Sequence, residues 1–381
     1  MNICVISDGY PSDNHMEFTF VKELCEAWAK IGHNVSIIAP QSLTKALIRR
    51  TDVLPIYTKA STSESNGIIE VYRPYYFSLG NFGEAYLNVS KIRNKIIDRT
   101  LRNLKLKPDI IYGHFWHSGY SGYKYAKRNN IPIFVATGES SIKFSIKSKD
   151  EQQFANDVKG IICVSTKNKN ESIQKHLTDG KNCIIIPNAV DRGIFFKYPK
   201  ELVREELGFN KNDFIVIFVG WFIPRKGPDR VAKAMELAQD RSIKAIFIGT
   251  AKDGVNILPE YSETIFVGQV DHKILPKYLS AADVFVLPTL QEGCCNAIVE
   301  AMSCGLPIIS SDLDFNYDLL DEKNSILVDP MNIKQISEAI VSLKENKIKL
   351  QTMGKESVRK LQINTIENRA KSILKFFSTN M

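Results

Sequence analysis

The sequence lacks any apolar run long enough to cross a membrane. Hydrophobic residues make up 44% of its 381 residues, but they are spread over short runs such as the one at positions 3–6. A membrane-spanning helix needs about 20 consecutive apolar residues, and the apolar part of a secretory signal peptide needs about 7–15. We therefore expect a cytoplasmic protein rather than an integral membrane or secreted one.

Cysteine patterns typical of metal or disulfide frameworks are also missing. The chain has seven cysteines, an odd number, and none of them shows the spacing of a zinc knuckle. Most lie inside apolar runs, which favours buried thiols in a reducing cytosol. Cys294 and Cys295 are adjacent, but no histidine close in sequence could activate either thiol, so we interpret them as small space-filling residues.

Nucleic-acid-binding motifs are absent although the formal net charge is +8. Such a charge favours a partner that is anionic, either a membrane surface or a phosphorylated substrate, and not nucleic acid. Basic residues cluster at 91–107, where apolar residues recur at helical spacing. That amphipathic helix either packs on a sheet with its charges in water or contacts an anionic membrane, and both interpretations stay open.

Short apolar runs alternate with helical patterns along the chain, which predicts parallel sheets covered by helices. The first series of predicted strands comprises 2–7, 34–39, 70–73, 109–112, 131–136, 160–164 and 182–186. The second comprises 214–219, 244–248, 264–267, 284–287, 307–310 and 326–328. The fold class is therefore α/β, with two doubly wound Rossmann-like domains joined near residue 190. The polar segment 41–67 between two strands is predicted to be a long loop.

The run 281–311 predicts a strand, a loop, a helix from Asn296 and a second strand. Glu292 and Glu300 bracket the amino terminus of that helix, and Asn296 shares a helix face with Glu300. A helix amino terminus favours an anion such as phosphate, whereas carboxylates suit hydroxyl groups. The combination predicts a sugar nucleotide as ligand. The alternative is that Glu300 only complements the helix dipole and that Glu292 is a solvated loop acid.

A second stretch, WFIPRKGPDR, follows the predicted strand 214–219 and its closing Gly220. Arg225 and Lys226 place two cations at the carboxyl end of this strand, where an arginine fork and a lysine point charge can hold phosphate oxygens. The alternative is a solvated basic loop.

The segment EGCCNAIVEAMSCGLPII, which begins at Glu292, resembles the Glu-x7-Glu region of retaining nucleotide-sugar glycosyltransferases of family 4. The loop with Arg225 and Lys226 resembles that family's G-x5-K-G segment, and the run 266–270 resembles its F-x-G turn near the nucleobase. The resemblance implies the GT-B architecture, two Rossmann-like domains facing across a cleft. It assigns acceptor binding to residues 1–190, donor binding to 191–364, and a last helix, 365–381, that packs back on the first domain.

The resemblance also implies roles for individual residues. Glu292 would orient the donor sugar, Glu300 would hold the ribose hydroxyls, and Arg225 with Lys226 would stabilise the departing diphosphate. The full set of expected donor contacts is Gly220, Arg225, Lys226, Gly268, Glu292, Gly293, Cys294, Cys295, Asn296 and Glu300.

The first domain departs from the family pattern at two places. The loop after strand one, where family members carry Gly-Gly, contains Asn14 and His15, and Glu139 occupies a position that is often histidine. Glu139 either binds hydroxyl groups or is a loop acid. His15, His114 and Glu139 are the acceptor or cleft candidates. For His114 and the nearby His117, a cleft-lining or stacking role is expected rather than metal binding, because further ligands are missing nearby in sequence.

The resulting prediction is an enzyme that moves a hexose-type sugar from a nucleoside-diphosphate sugar to an acceptor hydroxyl by front-face displacement, without a metal or other cofactor. Asp312-Leu313-Asp314 matches a metal-binding signature only over three residues, a match frequent by chance. Family members of this length imply a glycan or lipid-linked glycan acceptor in bacterial polysaccharide or glycolipid synthesis, with peripheral contact to an anionic membrane. Two alternatives are a catalytically silent binding subunit and a nucleotide-sugar epimerase; the Glu-x7-Glu segment argues against the epimerase.

Overall fold

The structure, a computed structural model, describes residues 1–12, 18–60, 67–78, 84–104, 106–252 and 254–381. The chain divides into two compact units. Unit 1 comprises Met1–Ile186 and Ile366–Met381, and unit 2 comprises Pro187–Thr365. Each unit is built around its own parallel sheet, which confirms the prediction of two doubly wound α/β domains.

Unit 1 contains ten strands among the described residues: β1 (Asn2–Ile6), β2 (Asn34–Ile38), β3 (Gln41–Ser42), β4 (Tyr57–Ala60), β5 (Ile69–Tyr72), β6 (Tyr75–Tyr76), β7 (Ile110–His114), β8 (Ile133–Thr137), β9 (Gly160–Cys163) and β10 (Cys183–Ile185). Its helices before the boundary are α1 (Thr19–Lys30), α2 (Leu43–Arg49), α3 (Glu84–Asn103), α4 (Trp116–Arg128), α5 (Lys149–Asp157) and α6 (Thr166–Gln174). The main sheet has the order β10-β9-β8-β7-β1-β2-β5-β4, and only β4 runs antiparallel to its neighbour.

Both faces of the central part of this sheet are buried, which explains why strands such as β1, β7 and β8 are largely apolar runs. Alternate side chains of a strand point to opposite faces. In β1, Ile3 and Val5 join one core cluster, whereas Cys4 and Ile6 join the other. The carboxyl ends of β1 and β7 therefore meet at the centre of the sheet with their side chains fixed by packing on both sides.

The prediction of a long loop over 41–67 is wrong for its described part. Residues 41–60 contain β3, α2 and the edge strand β4. These elements are short and polar, so their periodicity is too weak to show in the sequence.

The basic helix begins earlier than the sequence pattern indicates and ends at Asn103. Ile97 and Leu101 on this helix are fully buried, and α3 packs on α4. The apolar face of α3 is therefore part of the unit 1 core, and its exposed face is basic.

Unit 2 contains six strands among the described residues: β11 (Phe214–Val219), β12 (Ile243–Ile248), β13 (Thr264–Gly268), β14 (Val284–Leu287), β15 (Ile308–Ser311) and β16 (Ser325–Val328). Its helices are α7 (Lys200–Glu206), α8 (Pro228–Ala238), α9 (Leu275–Ala281), α10 (Asn296–Ser303), α11 (Ile333–Glu345) and α12 (Lys347–Lys360). The sheet is entirely parallel, with the order β13-β12-β11-β14-β15-β16.

The last helix, α13 (Ile366–Asn380), belongs to unit 1 and packs on α1. The indole of Trp28 donates a hydrogen bond to the Ala370 carbonyl at 3.2 Å. Phe377 is fully buried against Trp28, Tyr112 and Phe134. The chain thus completes the core of its first unit with its last residues.

Candidate active site

The candidate site of unit 2 lies where the strand order reverses. The chain proceeds from β11 to β12 and β13 on one side of the sheet and then returns to β14 on the other side of β11. Ligands of open α/β sheets bind at such a switch point, outside the carboxyl ends of the strands. The loops 220–227 and 288–295 follow these two neighbouring strands, β11 and β14, and carry most of the predicted donor residues.

Glu292 joins the two loops through its carboxylate. Its Oε1 lies 2.7 Å from Arg225 Nη1 and 2.7 Å from Lys226 Nζ. The Thr289 hydroxyl donates a third hydrogen bond to the same oxygen at 2.7 Å. Arg225 also donates to the Gln291 carbonyl. Three residues predicted from separate motifs therefore form one cluster, and Thr289 is a member that sequence reasoning missed.

The cluster stays ionised although it is largely buried. The side chains of Glu292 and Lys226 are 12% and 10% exposed. Burial acts to raise the pKa of the Glu292 carboxyl, but the positive charges of Lys226 and Arg225 outweigh it, so that the pKa lies below its ordinary value. Burial likewise acts to lower the pKa of Lys226, but Cys295 and Glu292 outweigh it and the pKa is raised. Two cations against one carboxylate leave a net positive charge for an anionic ligand.

Arg230, which the sequence analysis did not single out, holds the two loops at a fixed spacing. Its Nη1 donates to the Pro224 carbonyl at 2.8 Å, and its Nη2 donates to the Pro288 carbonyl at 2.7 Å. Gly227 has φ of +75°, and a Cβ there would lie 2.3 Å from the guanidinium. Glycine is therefore required at 227 both by its backbone conformation and by the close approach of Arg230.

Glycines keep the backbone open at the carboxyl ends of three neighbouring strands. Gly220 follows β11 and packs against Lys226, and Gly268 ends β13 with φ of +152°. Gly249, between them, cannot carry a side chain, because a Cβ would lie 1.9 Å from the Gly220 carbonyl oxygen. The sequence predicted Gly220 and Gly268 as site residues but gave no signal for Gly249.

The amino terminus of α10 lies beside the charged cluster. No side chain among the described residues caps this helix, and the Sγ of its N-cap residue, Cys295, lies 3.8 Å from Lys226 Nζ. Asn188 donates to the Asn296 side-chain oxygen at 2.7 Å and to the Cys294 carbonyl at 3.2 Å. Gly293, Cys294 and Cys295 are buried, which agrees with the interpretation of the two cysteines as space-filling residues. The positive end of the helix dipole thus lies beside Lys226, and both favour an anion.

Glu300, the second acid of the motif, does not join the charged cluster. Its Oε1 lies 3.1 Å from His272 Nε2, and its side chain is 14% exposed. The His272 ring packs edge-on against Phe195 with 4.9 Å between ring centroids. The two acids of the motif therefore have separate partners, and no pattern in the sequence indicated His272.

His114 ends β7 in unit 1 and is 6% exposed. Its ring packs against Phe20 and Phe115, and neither ring nitrogen has a hydrogen-bond partner among the described residues. Burial lowers its pKa to about 3, so the imidazole is neutral. The structure thus shows a buried histidine whose ring is tilted, not stacked, against both phenylalanine rings.

Glu139 follows β8 and is half-buried. Its Oε2 accepts hydrogen bonds from the Thr137 hydroxyl at 2.8 Å and from the Gly138 amide at 3.0 Å. Burial raises its pKa to about 7 in spite of these bonds. Asp8, which follows β1 and pairs with Arg93, adds a smaller contribution in the same direction. Two carboxyl groups, those of Asp8 and Glu139, therefore follow the carboxyl ends of the parallel strands β1 and β8.

His15 lies outside the described residues. Asp312 accepts a hydrogen bond from the exposed Tyr317 hydroxyl at 3.0 Å. Within the described part of the chain, no group of three or more histidine, cysteine or acidic side chains could hold a metal ion. In the same part, no helix is long and apolar enough to pass through a bilayer.

Two family descriptions match the chain. "Glycosyltransferase Family 4" matches residues 18–193, and "Glycosyl transferases group 1" matches residues 199–360. A putative teichuronic acid biosynthesis glycosyltransferase, TuaC of Bacillus subtilis, is 26% identical over 91% of this chain and 90% of its own length. An Escherichia coli enzyme described as UDP-Gal:alpha-D-GlcNAc-diphosphoundecaprenol alpha-1,3-galactosyltransferase is 29% identical over 68% of this chain and 71% of its own.

Solved structures share the fold over the whole chain. Sucrose-phosphate synthase from Thermosynechococcus elongatus matches with a TM-score of 0.79 and 19% identity, over 99% of this chain and 98% of its own. HepE from Anabaena, in complex with UDP and glucose, matches with a TM-score of 0.71 and 17% identity over 100% of both chains. These matches confirm the predicted fold class, the GT-B architecture.

Proposed function

This chain belongs to the family 4 glycosyltransferases of the GT-B type, and from that premise we propose that it transfers a hexose-type sugar, with retention of configuration, from a nucleoside-diphosphate sugar to a hydroxyl of a glycan or lipid-linked glycan. The acceptor class is supported by the Escherichia coli relative, whose name specifies a diphosphoundecaprenol-linked acceptor. The setting is bacterial polysaccharide or glycolipid synthesis, as the name of TuaC suggests for that relative. The protein acts on the cytoplasmic side, with peripheral contact to an anionic membrane.

The Arg225–Lys226–Glu292 cluster is the observation that carries the proposal. It sets two cations and one carboxylate at the carboxyl edge of the unit 2 sheet, which is the charge arrangement that a diphosphate attached to a polyol requires. Arg225 and Lys226 bind the diphosphate, and Glu292 accepts hydrogen bonds from sugar hydroxyls. The Oε2 of Glu300, the oxygen not bonded to His272, accepts hydrogen bonds from the ribose hydroxyls. Unit 1 binds the acceptor, with His114 lining and Glu139 contacting it.

In the proposed front-face reaction, the bond between the anomeric carbon and the leaving phosphate oxygen breaks while a bond to the acceptor oxygen forms on the same face. The acceptor proton passes to the leaving phosphate. The diphosphate gains negative charge in the transition state, so the cations of Arg225 and Lys226 stabilise the transition state more than the bound donor. Because these cations are held in place before the reaction, the proposal needs no metal ion.

A donor panel tests the proposal. The pure protein is incubated with UDP-, GDP-, ADP- and dTDP-sugars without acceptor or metal, and thermal stability and slow donor hydrolysis are measured. One donor should raise the melting temperature, and Glu292→Ala should slow its hydrolysis by about 100-fold. Glu263→Ala is the matched control, since Glu263 pairs with Lys244 next to the amino end of β13. Failure of every donor to bind would refute the assigned site.

The same panel separates the two alternatives. A silent binding subunit would be stabilised by a donor without hydrolysing it or transferring its sugar to any acceptor, and an epimerase would return an isomer of the donor. Retention is tested by NMR on the first sugar released from an α-linked donor, which should be the α-anomer. Release of the β-anomer would exclude the front-face reaction.

A further inference from the structure

Unit 1 exposes large apolar side chains on α2, on α3 and just after β6, the strand that both helices contact. Leu47 and Ile48 on α2 are 80% and 74% exposed, Phe77 just after β6 is 69% exposed, and Ile92 on α3 is 42% exposed. Single exposed apolar residues are normal, but several that lie together mark a site of interaction. We call these four side chains the apolar patch.

The elements that carry the apolar patch are joined to one another. β3 pairs with β6, and both α2 and α3 pack against β6. The Ser42 and Ser78 hydroxyls lie 2.5 Å apart, and the Ser78 amide donates to the Thr44 hydroxyl at 3.1 Å. These bonds hold the start of α2 against Ser78, the residue that follows Phe77. The backbone segments that carry Leu47, Ile48 and Phe77 are therefore bonded to each other.

The α2 helix itself is fixed at its amino terminus. Ser42 is its N-cap, and the Ser42 hydroxyl accepts a hydrogen bond from the Lys45 amide at 3.1 Å. Leu47 and Ile48 therefore belong to a helix that is capped at its start, and their side chains are largely in solvent.

Exposed basic residues lie on α3 and on or at the end of α2, the two helices that carry three of the four side chains of the apolar patch. They are Lys45, Arg50, Lys91 and Lys95. None of the four forms an ion pair with another described residue, whereas Arg93 and Arg102 on α3 are paired with Asp8 and Asp98. Since Ile97 and Leu101 of α3 are buried in the core, the described surface of this helix consists mainly of basic residues together with Ile92.

We propose that the apolar patch and these four basic residues form a docking surface for an anionic lipid bilayer. Apolar side chains enter the headgroup region, and the cations bind the negatively charged headgroups. A second copy of this chain fits less well, because an isologous contact would place the cations of one copy against those of the other. The inference rests on the proposed function, in which unit 1 receives a lipid-linked acceptor, and it identifies the surface that brings the unit to that lipid.

The test is co-sedimentation of the full chain with vesicles of phosphatidylcholine alone and of phosphatidylcholine mixed with phosphatidylglycerol. The wild type should bind only the anionic vesicles, and added salt should release it. Leu47→Ser with Ile48→Ser should weaken binding at least tenfold. Lys91→Gln with Lys95→Gln should weaken it about 25-fold, since each basic residue near an anionic surface contributes a factor of about five.

Ile348→Ser is the matched control. Ile348 is also 80% exposed, but it lies on α12 of unit 2, and its replacement should leave vesicle binding unchanged. Donor hydrolysis without vesicles should be the same in wild type and in all these variants. A failure of vesicle binding with normal hydrolysis therefore counts against the docking surface alone, whereas absent hydrolysis counts against the proposed function. Wild type that ignores anionic vesicles overturns the proposal, as does a dimer in solution that the Leu47 and Ile48 replacements dissociate.

Discussion

Replacing Glu292 by glutamine removes the only negative charge in the cluster of Glu292, Arg225 and Lys226. Glutamine keeps an oxygen that can accept the Thr289 hydrogen bond, so the change is mainly electrostatic. Lys226, whose side chain is 10% exposed, would then be a buried cation without its counterion. Arg225 is 32% exposed and is partly screened by water, so most of the effect comes from Lys226.

The expected loss of stability follows from this burial. Removing one partner of a buried ion pair costs about 3–5 kcal/mol, and the lower end applies here because glutamine retains a hydrogen-bond acceptor. For a unit of this size, about 3 kcal/mol corresponds to a melting temperature lower by about 6–12 °C. The loss should appear in unit 2, because the cluster joins two loops of that unit.

The stability of wild type and of Glu292→Gln should depend on pH in opposite directions. In the wild type the pKa of Lys226 is raised, so the stability that it contributes is complete below the ordinary lysine value and is lost as the pH rises through the folded pKa. In Glu292→Gln, burial and Arg225 remain and act to lower that pKa. The Cys295 thiol does not oppose them near pH 7, because burial raises its own pKa and keeps it uncharged, so the Lys226 pKa should fall below its ordinary value. The folded variant then releases a proton more readily than the unfolded chain, and its deficit should shrink as the pH rises from 7 to 9.

Hydrogen exchange of peptides that cover residues 284–303, at both pH values, measures the local free energy of unfolding of wild type and variant. Glu263→Gln, on a partly exposed pair with Lys244, serves as the control and should change little. Equal stability of Glu292→Gln and wild type, or a deficit that does not change with pH, would refute the argument that Glu292 compensates a buried Lys226.

Three further predictions concern other residues. Arg230→Leu removes the hydrogen bonds to the Pro224 and Pro288 carbonyls. It should destabilise unit 2 by about 3 kcal/mol in urea unfolding and weaken donor binding in a titration. Unchanged donor affinity would contradict the positioning role of Arg230. Glu139 should titrate near pH 7 in a carboxyl NMR experiment. Because the Glu139 pKa is raised in the folded state, the stability that this carboxyl contributes is complete below the ordinary carboxyl pKa and is lost as the pH rises through 7. Glu139→Gln should abolish this dependence of the unfolding free energy on pH. Phe377→Ala should cost about 3–5 kcal/mol in thermal unfolding of unit 1, and an unchanged melting temperature would show that α13 is not part of its core.

Much of the fold could be predicted because its parallel strands are buried on both faces and therefore appear as apolar runs. β11 and β14 were predicted at their observed bounds, since both lie at the centre of the unit 2 sheet. β4 was missed because it is a short, exposed antiparallel edge strand that forms no apolar run in the sequence. The short helix α2 was missed for the related reason that it buries little.

For the candidate site, the sequence placed Arg225, Lys226 and Glu292 at strand ends, and the structure shows their side chains in contact. The partners of the motif acids could not be predicted. His272 lies 28 positions before Glu300, and Arg230 reaches a carbonyl 58 positions away. Such contacts depend on how loops from different strands fold toward each other, and no local pattern in the sequence encodes this.

The central claim is that the two loops of unit 2 and Glu300 bind a nucleoside diphosphate. The most direct test is calorimetric titration with the nucleoside diphosphate whose base the donor panel identifies. The proteins compared are wild type, Arg225→Met, Glu300→Gln and a control, Lys233→Met, at an exposed position of α8. Arg225→Met and Glu300→Gln should each weaken binding at least tenfold, and Lys233→Met should leave it unchanged. Equal affinity in all four proteins would contradict the assignment of the donor site.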